Sequence, residues 1–264
     1  MDKRLTFDEV AEVYDRARPS YPDELFNDLF SYLGEKLSSS EPSVLEIAPG
    51  TGKATRSLVD RGARVVAVEI GPRLAAFLER KLSPEFPGRL RVINSSFEDA
   101  TIEHQAFDLV VVATAFEWID PAFRVLKSHD ALRSDGVFAV IGTNQISSDA
   151  DRGFFERAIP IYQKYQREEV DTHLHDDQVV PEEYEELRSS GLFVDVQLER
   201  YRWDQTYTTG GYADLVRSYS VTVVMPQAER EGLIAELSHV IDAEYGGFVT
   251  RPLVITLALG RRAE

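Results

Sequence analysis

Residues 44–53 read Val44-Leu45-Glu46-Ile47-Ala48-Pro49-Gly50-Thr51-Gly52-Lys53. An apolar run carrying one acid gives way to a turn built on two glycines, the pattern of a strand that enters a nucleotide-binding turn. The dinucleotide fingerprint asks for a third glycine near position 55, where this chain has Thr55. It also seats a pyrophosphate on the helix that follows, and Glu46 would repel that charge. The turn fits the fold of a dinucleotide enzyme but not its ligand.

The segments around the turn follow its lead. Short apolar runs rich in Val and Ile recur at 43–48, 64–70, 90–95, 107–115 and 136–143. They barely alternate, which suits strands buried on both faces of a parallel sheet. Helical patterns separate them at 52–61, 72–82 and 121–133, and strand–helix alternation at this spacing predicts a doubly wound α/β sheet with right-handed crossovers. Two amphipathic helices are predicted ahead of the first strand, near 6–17 and 23–37. Beyond 143 come a helix over 151–166 interrupted or kinked near Pro160, a helix over 181–191, and a strand over 193–203. Helices near 210–219 and 226–244 and a last strand over 251–262 complete the chain. These extra helices are expected to cover the open end of the sheet.

Composition narrows the function. The 264 residues carry 45 acids against 29 bases, a formal net charge of −16. Tight sequence-independent binding of nucleic acid needs clustered cations, so such a partner is disfavoured. The absence of cysteine excludes disulfides, thiolate metal sites and cysteine nucleophiles. The N-terminal MDKRLTFDEVAEVYDR lacks the apolar core of a secretory leader, and no apolar stretch approaches the ~20 residues that span a bilayer. The expectation is a soluble cytoplasmic protein with no membrane partner, a monomer or a weak homodimer.

Glu46 then selects the cofactor. A carboxylate at this strand end attracts an ammonium, and S-adenosylmethionine brings one on its methionine part and carries no phosphate. Gly50 and Gly52 let the backbone approach the ligand closely. Glu69, ending the second run in VVAVEIGP, can accept both ribose hydroxyls, a feature shared with dinucleotide enzymes. After the third run, Ser96-Phe97-Glu98 offers an adenine site, with Phe97 to flank the ring.

These residues resemble the first motif, the ribose acid and the adenine segment of the class I S-adenosylmethionine-dependent methyltransferases. The motif acid-x-Gly-x-Gly-x-Gly stands here as Glu46-Ile47-Ala48-Pro49-Gly50-Thr51-Gly52, with Ala48 in place of its first glycine. FDEVAEVYDRARPSYP (7–22), ATAFEWIDP (113–121) and residues 191–220 resemble segments of a subgroup of small-molecule bacterial enzymes. The resemblance implies a Rossmann-like fold, a seven-stranded mostly parallel sheet with an antiparallel last strand. It implies a single domain over 1–264, made of a helical cap (1–40), a cofactor-binding core (41–143) and a C-terminal half (144–264). Its implied cofactor contacts are Tyr14, Arg18, Glu46, Ala48, Gly50, Thr51, Gly52, Glu69, Ile70, Ser96, Phe97, Thr114 and Phe116, with Arg18 toward the methionine carboxylate.

Methyl transfer from a sulfonium is an in-line displacement, for which the protein mainly supplies alignment. Glu117 is the candidate base, on condition that burial raises its pKa; its other reading is a helix N-terminal acid. Trp118, Tyr21 and Tyr207 are the candidate contacts of a small-molecule methyl acceptor. His173 and His175 raise a zinc reading, which the family does not imply, so no metal is expected. A nicotinamide-dependent oxidoreductase and a non-catalytic S-adenosylmethionine-binding regulator stay open as alternatives.

Overall fold

A computed structural model describes residues 4–5, 8, 11–34, 40–165, 175 and 178–263. Its strands are β1 (Ser43–Ile47), β2 (Arg64–Glu69), β3 (Leu90–Asn94), β4 (Phe107–Ala113), β5 (Leu132–Gln145), β6 (Phe193–Thr208) and β7 (Phe248–Arg262). They form one sheet in the order β3-β2-β1-β4-β5-β7-β6, with β7 antiparallel. This is the sheet expected from the sequence. The order reverses between β1 and β4, which run parallel with Ile47 opposite Val112. In open α/β sheets that reversal marks the ligand crevice.

The helices, in chain order, are α1 (Ala11–Ala17), α2 (Asp23–Gly34), α3 (Lys53–Asp60), α4 (Pro72–Leu82), α5 (Pro121–Arg124) and α6 (Leu126–Ala131), followed by α7 (Phe154–Lys164), α8 (Glu182–Ser189), α9 (Thr209–Arg217), α10 (Ser220–Val223) and α11 (Gln227–Tyr245). Parts of three predicted helices, at 6–7, 9–10, 35–37 and 166, lie outside the described residues.

The chain divides into two compact units. The larger comprises 20–143, 180–201 and 255–264. Its core shows why the apolar runs do not alternate: Val44 and Leu45 of β1 and Leu109, Val110, Val111 and Val112 of β4 are all fully buried. Leu58 and Val59 of α3 and Leu74, Leu78 and Leu82 of α4 supply buried helix faces at 3–4 residue spacing.

The smaller unit comprises 1–19, 144–179 and 202–254, and is built on α1, α7, α9, α10 and α11. Phe154, fully buried, meets Phe155, Tyr212 and Tyr245 edge-on at 5.2, 5.2 and 5.4 Å. Leu233, Leu237 and Ile241 of α11 pack into the same cluster.

Two predicted elements come out differently. The helix over 121–133 is two short helices, and the next strand starts at Leu132 rather than 136, because Leu132 pairs with Phe107 ahead of a bulge. Gly136 closes that bulge, where a Cβ would lie 2.9 Å from the Arg133 carbonyl oxygen. α7 runs unbroken through Pro160. The missing N–H leaves the Glu156 carbonyl without its helix bond, but Glu156 and Pro160 are both exposed, so water can take that place.

Candidate active site

The turn after β1 is a four-residue turn closed by Gly52 N donating to Pro49 O at 3.0 Å. Ala48, just before it, holds φ at 53°, and Thr114 at the end of neighbouring β4 holds 52°. Two adjacent strand ends therefore finish on left-handed, non-glycine residues, a conformation that costs roughly 1–2 kcal/mol for a residue with a Cβ. Such strain gathers at ligand sites. Ala48 occupies the position of the motif's missing glycine, and Ala48→Gly is expected to stabilise the fold by about 0.5–1 kcal/mol after the added chain entropy. Urea denaturation checks this; a lower midpoint in the variant would mean that Ala48 is not strained.

The two glycines of the turn do different work. A Cβ at Gly52 would come within 2.4 Å of Leu78 Cδ1, so this glycine lets the turn pack on α4. A Cβ at Gly50, with φ at 57°, would meet nothing within 4 Å. Gly50 therefore borders open space.

Glu46 is 1% exposed, and neither carboxylate oxygen has a hydrogen-bond partner among the described residues. Burial pushes its carboxyl up to about 7; the Thr55 hydroxyl and backbone N–H pull the other way, and the Glu69 charge adds to the rise. Thr51 Oγ1 and Thr55 Oγ1 are likewise buried and unpartnered. Among the described residues, seven buried side-chain polar atoms lack a partner, and four of them belong to Glu46, Thr51 and Thr55. Buried polar atoms are normally satisfied, which sets these three residues apart from the rest of the core. Glu69 is the opposite case. Its Oε2 accepts from Gly50 N at 3.0 Å and its Oε1 from Gly71 N at 2.9 Å. A carboxylate has about four lone-pair sites, so these bonds orient the group without exhausting it.

The remaining candidates of the larger unit sort by surroundings. Ile70 is half-buried, and its carbonyl accepts from Asn94 Nδ2 at 3.1 Å. Ser96 Oγ donates to Asp99 Oδ2 at 2.7 Å and accepts from Asp99 N at 3.1 Å, a local turn. Phe97 is buried in the core, and the loop around it is tied by Lys127 Nζ, which donates to the carbonyls of Phe97, Glu98 and Ala100 at 2.6, 2.9 and 2.7 Å. The hydroxyls of Tyr21 and Thr114 share a hydrogen bond at 3.1 Å. Phe116 is buried under the Arg124 guanidinium, 4.3 Å from its ring centre. Trp118 is half-buried and packs on the core.

Glu117 is exposed, on a single 3-10 turn over Phe116–Trp118. The burial on which its role as a base depends is absent. The neighbouring acid with a raised pKa is Glu183 of α8, pushed up by burial and further by the charge of Glu117. Sequence reading missed Glu183 and the pair of Arg124 with Glu186, because more than 50 residues separate α5 from α8.

Tyr14, Arg18 and Tyr207 belong to the smaller unit. Arg18 donates through Nε to Ser218 Oγ at 2.9 Å and through Nη2 to Ser218 O at 3.1 Å. Its guanidinium lies 5.1 Å from the Tyr14 ring centre and 4.6 Å from that of Tyr219. Tyr207 is buried with an unpartnered hydroxyl. His175 is exposed, and His173 lies outside the described residues. Among the described residues, no group of three or more His, Cys, Asp or Glu is placed to hold a metal, and no helix is long and apolar enough to cross a membrane.

Comparison with known proteins agrees with this geometry. Residues 45–140 match the methyltransferase domain family. An uncharacterised methyltransferase of Mycobacterium tuberculosis is 32% identical over 140 residues, 53% of this chain and 53% of its own length. The chain thus spans about half the length of the curated relatives it matches. A candidate type II methyltransferase of Anaeromyxobacter dehalogenans shares the fold with a TM-score of 0.57 at 20% identity, over 93% of this chain and 96% of that one. Phosphoethanolamine N-methyltransferase 2 of Haemonchus contortus, solved with phosphomonomethylethanolamine and S-adenosylhomocysteine, does so with a TM-score of 0.54 at 13% identity, over 96% of this chain and 57% of that one. Residues 45–140 are thus similar to a methyltransferase domain, and the solved structures share the fold of the chain.

Proposed function

We propose that the protein transfers a methyl group from S-adenosylmethionine to a small-molecule acceptor. The observation that carries this reading is Glu46, a buried carboxylate with both oxygens unpartnered, at the strand end where sheet order reverses. A buried charge needs a counter-charge, and the ammonium of the cofactor supplies one. Glu69, oriented by Gly50 and Gly71, would take the ribose hydroxyls, and the open face of Gly50 leaves room beside them. Thr51 and Thr55 add two buried hydroxyls that close no hydrogen bond among the described residues. When bound, S-adenosylmethionine supplies an activated methyl carbon and a neutral thioether leaving group.

The chain's own part is orientation and exclusion of water. Tyr21, Thr114 and Trp118 lie beside the β4 end and are the proposed acceptor contacts of the larger unit. Glu117, being exposed, acts there as a polar contact for the acceptor rather than as a buried base. The acidic composition favours a small molecule over nucleic acid.

Isothermal titration with S-adenosylhomocysteine tests the reading: saturable binding is expected, whereas stabilisation by NADH without any by S-adenosylhomocysteine would overturn it. Cofactor binding without turnover over a broad acceptor panel would leave a regulator in place of an enzyme. With a working acceptor, Glu117→Gln is expected to lower kcat/KM about tenfold, mostly through KM, at unchanged S-adenosylhomocysteine affinity. Unchanged kinetics would remove Glu117 from the reaction.

A further inference from the structure

The other concentration of unsatisfied polar atoms lies in the smaller unit. Gln145 ends β5, Tyr207 stands near the end of β6, and Arg251 near the start of β7. Ile146 N donates to Pro252 O at 3.1 Å, and the hydroxyls of Thr206 and Thr250 meet at 2.9 Å, so the three strand ends lie side by side. Arg251 Nε donates to Gln145 Oε1 at 2.8 Å. This fixes the amide with its Nε2 pointing elsewhere, and that nitrogen is buried without an acceptor. The Tyr207 hydroxyl, in electrostatic range of Arg251 and Arg18, is buried without a partner too. The two terminal nitrogens of Arg251 donate to nothing among the described residues, and no described carboxylate forms an ion pair with it.

The cluster is therefore a set of donors lacking an acceptor. In a chain with 45 acids, a half-buried guanidinium without a carboxylate is the reverse of what composition favours. A second guanidinium stands close, since Arg251 and Arg18 lie 5.9 and 4.6 Å from the centre of the same Tyr219 ring. The surrounding hydroxyls remain protonated: burial pushes Tyr207 up to about 12, and burial raises Tyr212, whose hydroxyl pairs with that of Tyr162 at 2.7 Å. Burial works to lower Arg251, yet its pKa is raised on balance, so the guanidinium keeps its charge.

We propose that Arg251, Gln145 Nε2 and the Tyr207 hydroxyl form an oxyanion-binding site that takes the carboxylate or phosphate group of a small molecule. A planar guanidinium offers two parallel donors to such a group, and the amide and phenol complete the shell. The site goes beyond the methyl-transfer reading and does not depend on it.

The test is calorimetric titration of the full chain with succinate and with inorganic phosphate at matched ionic strength, using chloride as the blank. Saturable binding of one or both is expected, and the tighter probe identifies the oxyanion. Arg251→Met, which keeps an apolar stem in the strand, is expected to weaken that binding at least about tenfold, and Tyr207→Phe, which removes one unpartnered oxygen, about threefold to tenfold. Tyr207→Phe deletes no packing atom and keeps the test valid if Arg251→Met folds poorly. S-adenosylhomocysteine affinity should be unchanged in both variants. No saturable binding of either anion, or equal binding by wild type and both variants, overturns the site. A parallel loss of S-adenosylhomocysteine affinity in Arg251→Met also overturns it, because the cluster would then serve the cofactor's own carboxylate. Failure of S-adenosylhomocysteine to bind wild type, with the anions still bound, would count against methyl transfer alone.

Discussion

Glu46→Gln is expected to make the protein more stable and poorer at holding its cofactor. The carboxyl of Glu46 titrates near 7 in the folded protein, against an ordinary value of 4.5. Below pH ~4.5 both folded and unfolded chains carry the proton, and the acid costs nothing. Between ~4.5 and ~7 the unfolded chain releases a proton that the folded chain keeps, so stability falls as pH rises, and it levels off above ~7. At about 1.36 kcal/mol for each pKa unit, the full cost at pH 8 is about 2–4 kcal/mol. Glutamine has nearly the same shape and never ionises. It should recover most of that amount at pH 8 and little at pH 5, which urea denaturation at the two pH values measures. Binding should move the other way. The carboxylate that destabilises the empty fold is the one that meets the ammonium, so S-adenosylhomocysteine affinity should fall about tenfold or more in the variant. Wild-type affinity should also rise with pH through 7 as the carboxyl ionises, and the variant should lack that rise. A variant no more stable than wild type at pH 8 would mean that Glu46 already has a partner in the empty protein.

The turn and its acids were legible because their chemistry is local. Glu46, Gly50 and Gly52 fall within seven residues, and Glu69 ends the next apolar run, so strand ends and site could be read together. Most of the core strands were legible because burial on both faces leaves continuous Val and Ile; the edge strand β3 has no fully buried residue. What escaped was either a bond across the fold or a local exception to propensity. The start of β5 at Leu132 is set by its pairing with Phe107, which no window over 121–133 contains. Nothing in the sequence around Ala48 or Thr114 announces a positive φ. Gln145, Tyr207 and Arg251 are separated by 62 and 44 residues, and become neighbours only because β7 inserts between β5 and β6. Glu117 shows the converse error: the sequence placed it after β4, but whether it is buried depends on packing that the segment does not encode.

Replacing Glu69 with Ala is expected to abolish useful cofactor binding, with a loss of about 100-fold or more, and to cost about 2–4 kcal/mol of stability. The two effects share one origin. Glu69 joins two elements that have no covalent reason to hold register: its Oε2 accepts Gly50 N from the turn, and its Oε1 accepts Gly71 N, the cap of α4. Each is a hydrogen bond to a charged acceptor, worth about 1.5–3 kcal/mol, and the second sits where a negative charge meets the positive end of a helix. Truncation leaves both N–H groups without an acceptor, frees the Gly50 turn and removes the proposed ribose contact in one step. Glu69→Gln should be little better, because its amide must present an NH2 to one of two N–H donors. The variants also separate structure from recognition. Glu69→Ala removes the nearby charge that helps raise the Glu46 carboxyl, so the pH dependence of stability due to Glu46 should shift toward lower pH. Combining it with Glu46→Gln in a double-mutant cycle should give a coupling energy in the empty protein that disappears at pH 5, where Glu46 is protonated in both backgrounds. Calorimetric affinity within about threefold of wild type in a folded Glu69→Ala protein would show that the ribose is not held here, and would return the turn to the open question of which ligand it serves.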